Sequence, residues 1–200
     1  MEAAVAEQII TGGLLSDVSI FRYRRGLRMN LAQGGSEHVD WVRSMTVACL
    51  SMGIGAHYRR YDSARYPKGY IYMWTRNHPL LRQLYKEWYP FGEKRVPWGL
   101  TLTPVGLANW FMGDGCSSRR SDPRYVLVKF STHAFDEEGT SLLVGLLEEL
   151  GIKAKNLRTG GGYHSIFVWE GKSVNTLMDL ISPYVMPSYE YKIKRVREAI

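Results

Sequence analysis

Two stretches decide the fold: ITGGLLSDV (10–18) and LANWFMGDG (107–115). Each is a run of apolar and small residues that closes on one aspartate, Asp17 in the first and Asp114 in the second, 97 residues apart. Runs that are apolar nearly all round read as buried helices. An aspartate in the last helical turn faces the negative end of the macrodipole, at a cost of about 0.3 kcal/mol or more. Nothing local offsets that cost, and it occurs twice. A divalent cation would offset it, because hard cations take carboxylate oxygens. Packed along a pseudo-two-fold axis, with Gly12, Gly13 and Ala108 permitting close approach, the two helices would bring both aspartates to one end. Such a pair makes a magnesium site suited to in-line attack on a phosphodiester.

Around these runs the chain repeats itself. The spacing predicts a helix over 3–15, then strands over 18–24 and 27–33 joined by an Arg25–Gly26 turn. Ser36 reads as the N-cap of a helix whose Val39, Val42, Met45 and Val47 face a core and which Gly53 ends. Strands over 55–62 and 70–76 flank Pro67-Lys68-Gly69, and Pro79 opens a helix through Trp88. Thr103 caps the next helix (104–114), followed by strands over 116–120 and 124–132. A helix over 137–150 ends at Gly151, strands over 152–158 and 163–169 flank Gly160-Gly161-Gly162, and a helix over 173–182 stops at Pro183. MGIGAHYRR (52–60) echoes LGIKAKNLR (150–158), and GYIYMW (69–74) echoes YHSIFVW (163–169). The order α-β-β-α-β-β-α therefore occurs twice, predicting an α+β protein of two pseudo-symmetric half-domains, 1–98 and 99–200.

Composition narrows the function. Of 200 residues 45% are hydrophobic and 22% charged, which excludes a disordered tail or a collagenous repeat. No apolar run approaches the roughly 18 residues of a membrane span, and the acidic MEAAVAEQ start lacks a basic n-region, so no secretory signal is expected. Cys49 and Cys116 are too few for a disulfide scaffold, and the five histidines match no zinc spacing. Gly160-Gly161-Gly162 lacks the following Lys-Ser/Thr and helix of a phosphate loop. The net charge of +7 attracts polyanions. Two basic runs, Arg22/Arg24/Arg25/Arg28 and Arg59/Arg60/Arg65/Lys68/Arg76, lie on strand-like segments rich in Tyr and Trp, which points to nucleic acid. Arginine outnumbers lysine 17 to 9 and asparagine is scarce, against an AT-rich organellar genome; an archaeal or bacterial cytoplasm is the expected location.

The segments LTPVGLANWFMGDGC (102–116), WYPFGEKRVP (88–97), PYVMPSYEYKI (183–193) and ITGGLLSDVSI (10–20), in this combination, resemble the single-chain LAGLIDADG homing endonucleases encoded within introns, over almost the entire length. The resemblance implies motif helices at the domain interface and two four-stranded antiparallel sheets forming a saddle along the DNA major groove. It implies a staggered double-strand break with 3′ extensions at a long asymmetric target, the intron insertion site. It also implies two or more Mg²⁺ ions, with Mn²⁺ able to substitute and Ca²⁺ binding without supporting cleavage. The metal-binding acids of the family fall on Asp17 and Asp114, and its basic residues near the scissile phosphates on Lys94 and Lys192. Lys94 to Lys192 spans 98 residues, as does Gly53 to Gly151, in support of this pairing. A polar, water-organising position falls on Gln33 and, in the second half, on Thr132 or Ser131. The first motif departs from the pattern: Val18 replaces a glycine, and Leu15 and Ser16 its small and acidic residues. A β-branched residue does not adopt a left-handed conformation cheaply, so the first helix is expected to end differently.

In such a saddle alternate strand residues face the DNA. Strand parity nominates Arg22, Arg24 and Arg28, then Arg59, Tyr61, Tyr70, Tyr72 and Arg76. The second half offers Arg119, Arg124, Lys129, Lys153, Lys155, Arg158 and His164. Residues 1–100 carry 14 basic and 8 acidic side chains and residues 101–200 carry 12 and 11, an asymmetry that suggests an asymmetric target. Double-stranded DNA is the expected partner, with no membrane, and a monomer is expected because both halves are covalently joined. The alternatives are an intron-splicing maturase on the same scaffold, with intron RNA as partner, and a DNA-binding regulator without catalysis.

Overall fold

Helix α1 (Ala3–Leu15) is buried at every position from Ile9 to its end, because it is packed on two sides, against α2 (Val39–Ser51) and α4 (Pro104–Asp114). The computed structural model describes residues 1–63, 66–119 and 125–196. The first unit continues from α1 through β1 (Ser19–Tyr23), β2 (Gly26–Gly34), α2, β3 (Ala56–Ser63), β4 (Tyr66–Thr75) and α3 (Pro79–Trp88). The second runs α4, β5 (Gly115–Arg119), β6 (Val126–Ser131), α5 (Glu137–Glu149), β7 (Lys155–Arg158), β8 (His164–Val168) and α6 (Gly171–Ile181). The sheets have the same order, β1-β2-β4-β3 and β5-β6-β8-β7, and every pairing is antiparallel. The twofold repetition of α-β-β-α-β-β-α is thus present element for element.

One face of each sheet is closed by helices. Ile20, Met29, Leu31, Ile71 and Met73 face inward in the first, and Val126, Val128, Phe130, Ile166 and Val168 in the second. The helix pair at the centre closes through glycine. A methyl on Gly12 would collide with the Gly106 carbonyl and Asn109, and one on Gly106 with Gln8. Gly13 serves elsewhere, against Met45 of α2 and Val18. Trp41 Nε1 donates to Asn109 Oδ1 at 2.9 Å, tying α2 of one unit to α4 of the other.

Local chemistry sets most boundaries. Thr103 Oγ1 accepts from Gly106 N, with Pro104 at the first turn, and Asp136 Oδ1 accepts from Gly139 N at 2.8 Å. Gly53 and Gly151 follow α2 and α5 at positive φ, 76° in each case. Four expectations change. Ser36 opens a short 3₁₀ turn (Ser36–His38) rather than capping α2. The buried face of α2 is Trp41, Val42, Met45, Thr46, Ala48 and Cys49, while Val39, the first residue of the helix, and Val47 are exposed; the step of five residues from Val42 to Val47 crosses to the other side of a helix. Pro67-Lys68-Gly69 lies within β4; the register shifts between Tyr61 and Ser63, and Gly69 supplies the positive φ of 70° that this irregularity requires. The β1–β2 turn is Arg24-Arg25, with Arg24 itself at φ 53°.

After its last helix each unit sends a strap across to the other. From the first, Arg95 pairs with Asp136 at 2.7 Å, at the N-terminus of α5. From the second, the turn Pro187–Lys192 reaches the N-terminus of α2, where Ser188 Oγ and N donate to Asp40 at 2.6 and 3.0 Å. Tyr189 stacks on His38, ring centres 4.3 Å apart.

Candidate active site

The motif helices end together. Asp114 is the last residue of α4, and Asp17 lies two residues past the end of α1. A methyl on Gly113 would meet Ser16 and stand 3.3 Å from Asp17 Oδ2, so glycine lets the end of α4 sit against the loop carrying the other carboxylate. The two aspartates feel one another: burial, then the negative charge of Asp17, pushes Asp114 up to about 7. The ends differ as expected, for a different reason. Gly115, the counterpart of Val18, has φ −78° and is not left-handed; it is glycine because a side chain there would collide with Phe111. Val18 meets no such wall and is fully buried beside Gly13.

Two half-buried lysines complete the arrangement. Lys94 Nζ donates to the carbonyls of Ser16 (3.0 Å) and Val18 (2.9 Å), and Lys192 Nζ to those of Met112 (2.6 Å) and Gly113 (3.4 Å). Lys192 thereby caps the last turn of α4, where a cation is favoured, while Lys94 holds the carbonyls of the loop just past α1. Burial lowers both, Lys94 to about 8. The opposing attractions cross between units: Asp114 leads Asp17 for Lys94, and Asp17 leads Asp114 for Lys192. The straps carry both lysines, so each ammonium is delivered to the junction.

The polar positions diverge. Gln33 Nε2 donates to Asp17 Oδ2 at 2.7 Å, and its Oε1 accepts from the hydroxyl of Tyr189 at 3.0 Å. Tyr189, a buried residue of the second unit's strap that strand-end reasoning did not nominate, therefore fixes the orientation of a glutamine in the first. Thr132 does not play the matching part: it is buried, and its hydroxyl donates to the His164 carbonyl at 2.9 Å. Ser131 sits at the end of β6 opposite Ser165 and makes no hydrogen bond to Asp114. Among the described residues no side chain donates a hydrogen bond to Asp114.

Two carboxylates, with no group of three or more His, Cys, Asp or Glu side chains suited to a metal among the described residues, suit a hard cation that takes its remaining ligands from water and phosphate. Such a cation would offset both the burial and the charge of Asp17 that raise Asp114.

The model of the LAGLIDADG DNA endonuclease family matches residues 7–177. The chain belongs to that family. A protein of Methanocaldococcus jannaschii named only as uncharacterized is 27% identical over 189 residues, 92% of this chain and 72% of its own. The cytochrome b mRNA maturase bI2 of Saccharomyces cerevisiae is 31% identical over 132 residues, 60% of this chain; the match spans only 29% of the maturase. Among solved structures, the homing endonuclease I-WcaI bound to its DNA recognition sequence aligns with TM-score 0.76 at 16% identity, covering 96% of this chain and 86% of that one. No helix among the described residues is long and apolar enough to cross a membrane.

In this LAGLIDADG chain the face of each sheet away from the helices begins beside a carboxylate, since β1 and β5 lead directly out of the two motifs. On the first sheet that face carries Arg28, Arg59, Tyr61, Tyr70 and Tyr72, all nominated from sequence, with Tyr23, Asn30, His57 and Trp74 in addition. Arg28 lies over the Tyr23 ring at 3.8 Å, and Tyr61 stacks on Tyr70 at 5.0 Å. Arg76 follows β4 by one residue and is exposed. On the second sheet Lys129 and Lys155 lie on this face. Six nominations move. Arg22 shares the parity of Ile20 and turns to the helix side, over Tyr85, in a basic cleft of about 390 Å³ with Arg82 and Lys86. Arg24 is in the turn. Arg119 pairs with Val126, and Arg158 with His164 on the parity of Ile166, so all three fall on the helix-facing side. Lys153 precedes β7 and pairs with Glu170 at 3.3 Å. Arg124 and Arg65 lie outside the described residues.

Proposed function

We propose that this protein is a site-specific DNA homing endonuclease that makes a Mg²⁺-dependent, staggered double-strand break at a long asymmetric target, the insertion site of its intron. The observation that carries this reading is the junction itself, where two carboxylates from equivalent motifs meet, one pushed up to about 7, with a half-buried lysine from each strap beside them. Asp17 and Asp114 would hold divalent ions, which supply polarisation of the scissile phosphates and of the attacking water. Lys94 and Lys192 stabilise negative charge developing on the phosphates. Gln33, held by Tyr189, orients solvent on the Asp17 side. The exposed faces of the sheets bind duplex DNA, with arginine suited to guanine edges and lysine to phosphates.

The test is incubation with Mg²⁺ and the host gene lacking the intron, or a randomised duplex library. Discrete cutting with 3′ extensions, lost in Asp17→Asn, is the expected result. A second reading, an intron-splicing maturase, is favoured by the similarity to the yeast maturase and by the basic cleft around Arg22, which lies off the sheet face. Tight binding of intron RNA without any DNA cut would favour it. A regulator without catalysis would bind DNA and leave it intact.

A further inference from the structure

Both exposed sheet faces carry aromatic rings, but the first sets Arg28, Arg59 and Asn30 among them, while the second sets leucines among them with lysines at the border. The second sheet presents a groove of about 520 Å³ lined by Tyr125, Val126, Leu127, Leu157, Phe167 and Trp169. Tyr125, Leu157 and Trp169 are 58%, 44% and 43% exposed, an unusual cost for a soluble sheet with no partner. In the register of this sheet Leu127, Lys129, Leu157 and Phe167 alternate away from the buried Val126, Val128, Ile166 and Val168, so the groove is a designed side of the sheet and not a gap in the core. The same face runs back through Cys116 to the active site, where Cys116 sits close enough to Lys192 to influence its charge. Cations border it: the Lys129 ammonium is 5.9 Å from the Phe167 ring and that of Lys155 5.3 Å from Trp169. The occupant must therefore be anionic at its rim, apolar at its centre, and continuous with whatever enters the site.

A DNA major groove meets that description where it is rich in thymine. The 5-methyl group is its one apolar feature, and leucine or aromatic side chains contact it while lysines take the flanking phosphates. Resting on the endonuclease reading, we infer that the half of the target lying on the second sheet is recognised largely through thymine methyl groups. The half lying on the first sheet, with Arg28, Arg59 and Asn30, is recognised through hydrogen bonds to purine edges.

Duplexes recovered by the protein from a randomised library provide the probe. Each is remade with deoxyuridine for thymidine in one half at a time, which removes the methyl and leaves every hydrogen-bonding group in place. The expected result is a loss of affinity of about fourfold per contacted methyl in the second-sheet half, and less than twofold in the first. The penalty should shrink toward onefold in Leu157→Ser and Leu127→Ser, whose thermal unfolding checks that the fold is retained. Equal deoxyuridine penalties in both halves, or no penalty in the second-sheet half, would overturn the inference; so would an unchanged penalty in the folded serine variants. Binding alone is measured, so a protein that binds selectively but never cuts would refute the endonuclease reading and leave this result standing.

Discussion

Asp17 and Asp114 occupy equivalent places in a duplicated unit, yet they stand in different surroundings. Asp17 is exposed, beyond the end of its helix, and held through Gln33 by a tyrosine that the other unit supplies. Asp114 is half-buried at the end of a continuous helix, has no side-chain donor among the described residues, and is pushed up to about 7. Both halves carry the aspartate and a lysine on the carbonyls beside it. The hydrogen-bonded support was free to diverge. The lesson is that pseudo-symmetry extends to the charges of this centre and stops at their polar neighbours.

The comparison breaks outright if the carboxylates are not a joint station. Asp17→Asn and Asp114→Asn should each reduce cleavage of both strands by about 10³-fold or more while changing DNA affinity less than about tenfold, or 1.4 kcal/mol; gel-based cleavage and equilibrium binding check this. Replacing either lysine with methionine should cost about 10²-fold in cleavage, and Lys94→Met also leaves the Ser16 and Val18 carbonyls without their ammonium donor. A strand-resolved assay sharpens the difference between stations. Tyr189→Phe and Gln33→Leu should slow one strand about tenfold and accumulate nicked duplex. Thr132→Val should leave both strand rates unchanged and lower stability by about 1 kcal/mol, since it removes a donor from the buried His164 carbonyl.

The stations should also differ in pH dependence. With the native carboxyl of Asp114 raised from 3.8 to about 7, the folded metal-free protein keeps a proton that the unfolded chain releases. Its contribution to stability is therefore full below pH 4, falls as pH rises to 7, and is absent above. Asp114→Asn should then be more stable than the parent at pH 8, by about 1–2 kcal/mol after allowance for solvent screening, with no gain below pH 4. Thermal unfolding in chelator at both pH values measures this. By the same sign, cleavage at limiting Mg²⁺ should weaken below pH 7 and recover when Mg²⁺ is raised.

Much of this centre was legible in the sequence, because charge at the end of an apolar helix is a strong local signal and its repetition at nearly constant spacing is stronger. The architecture followed for the same reason. Recognition residues were harder to place. Parity counted from the basic residues themselves put Arg22, Arg119, Arg158 and His164 on the DNA side; parity counted from Ile20, Val126 and Ile166 puts them on the other, because the apolar residue fixes which face is inside. The resemblance puts the second half's polar position on Thr132 or Ser131, at a strand end, where a slip of one residue changes every contact. Tyr189 left only the faint mark of an aromatic within PYVMPSYEYKI, since a bond linking residues 156 positions apart has no local pattern.

The reciprocal straps also limit how such proteins can be recombined. Joining the N-terminal half of this chain to the C-terminal half of a relative would graft foreign residues onto Asp40, His38 and Gln33, and would leave Arg95 facing a stranger at the position of Asp136. A working chimera would need its seam drawn around those crossing segments, each kept with the half it visits instead of the half that encodes it.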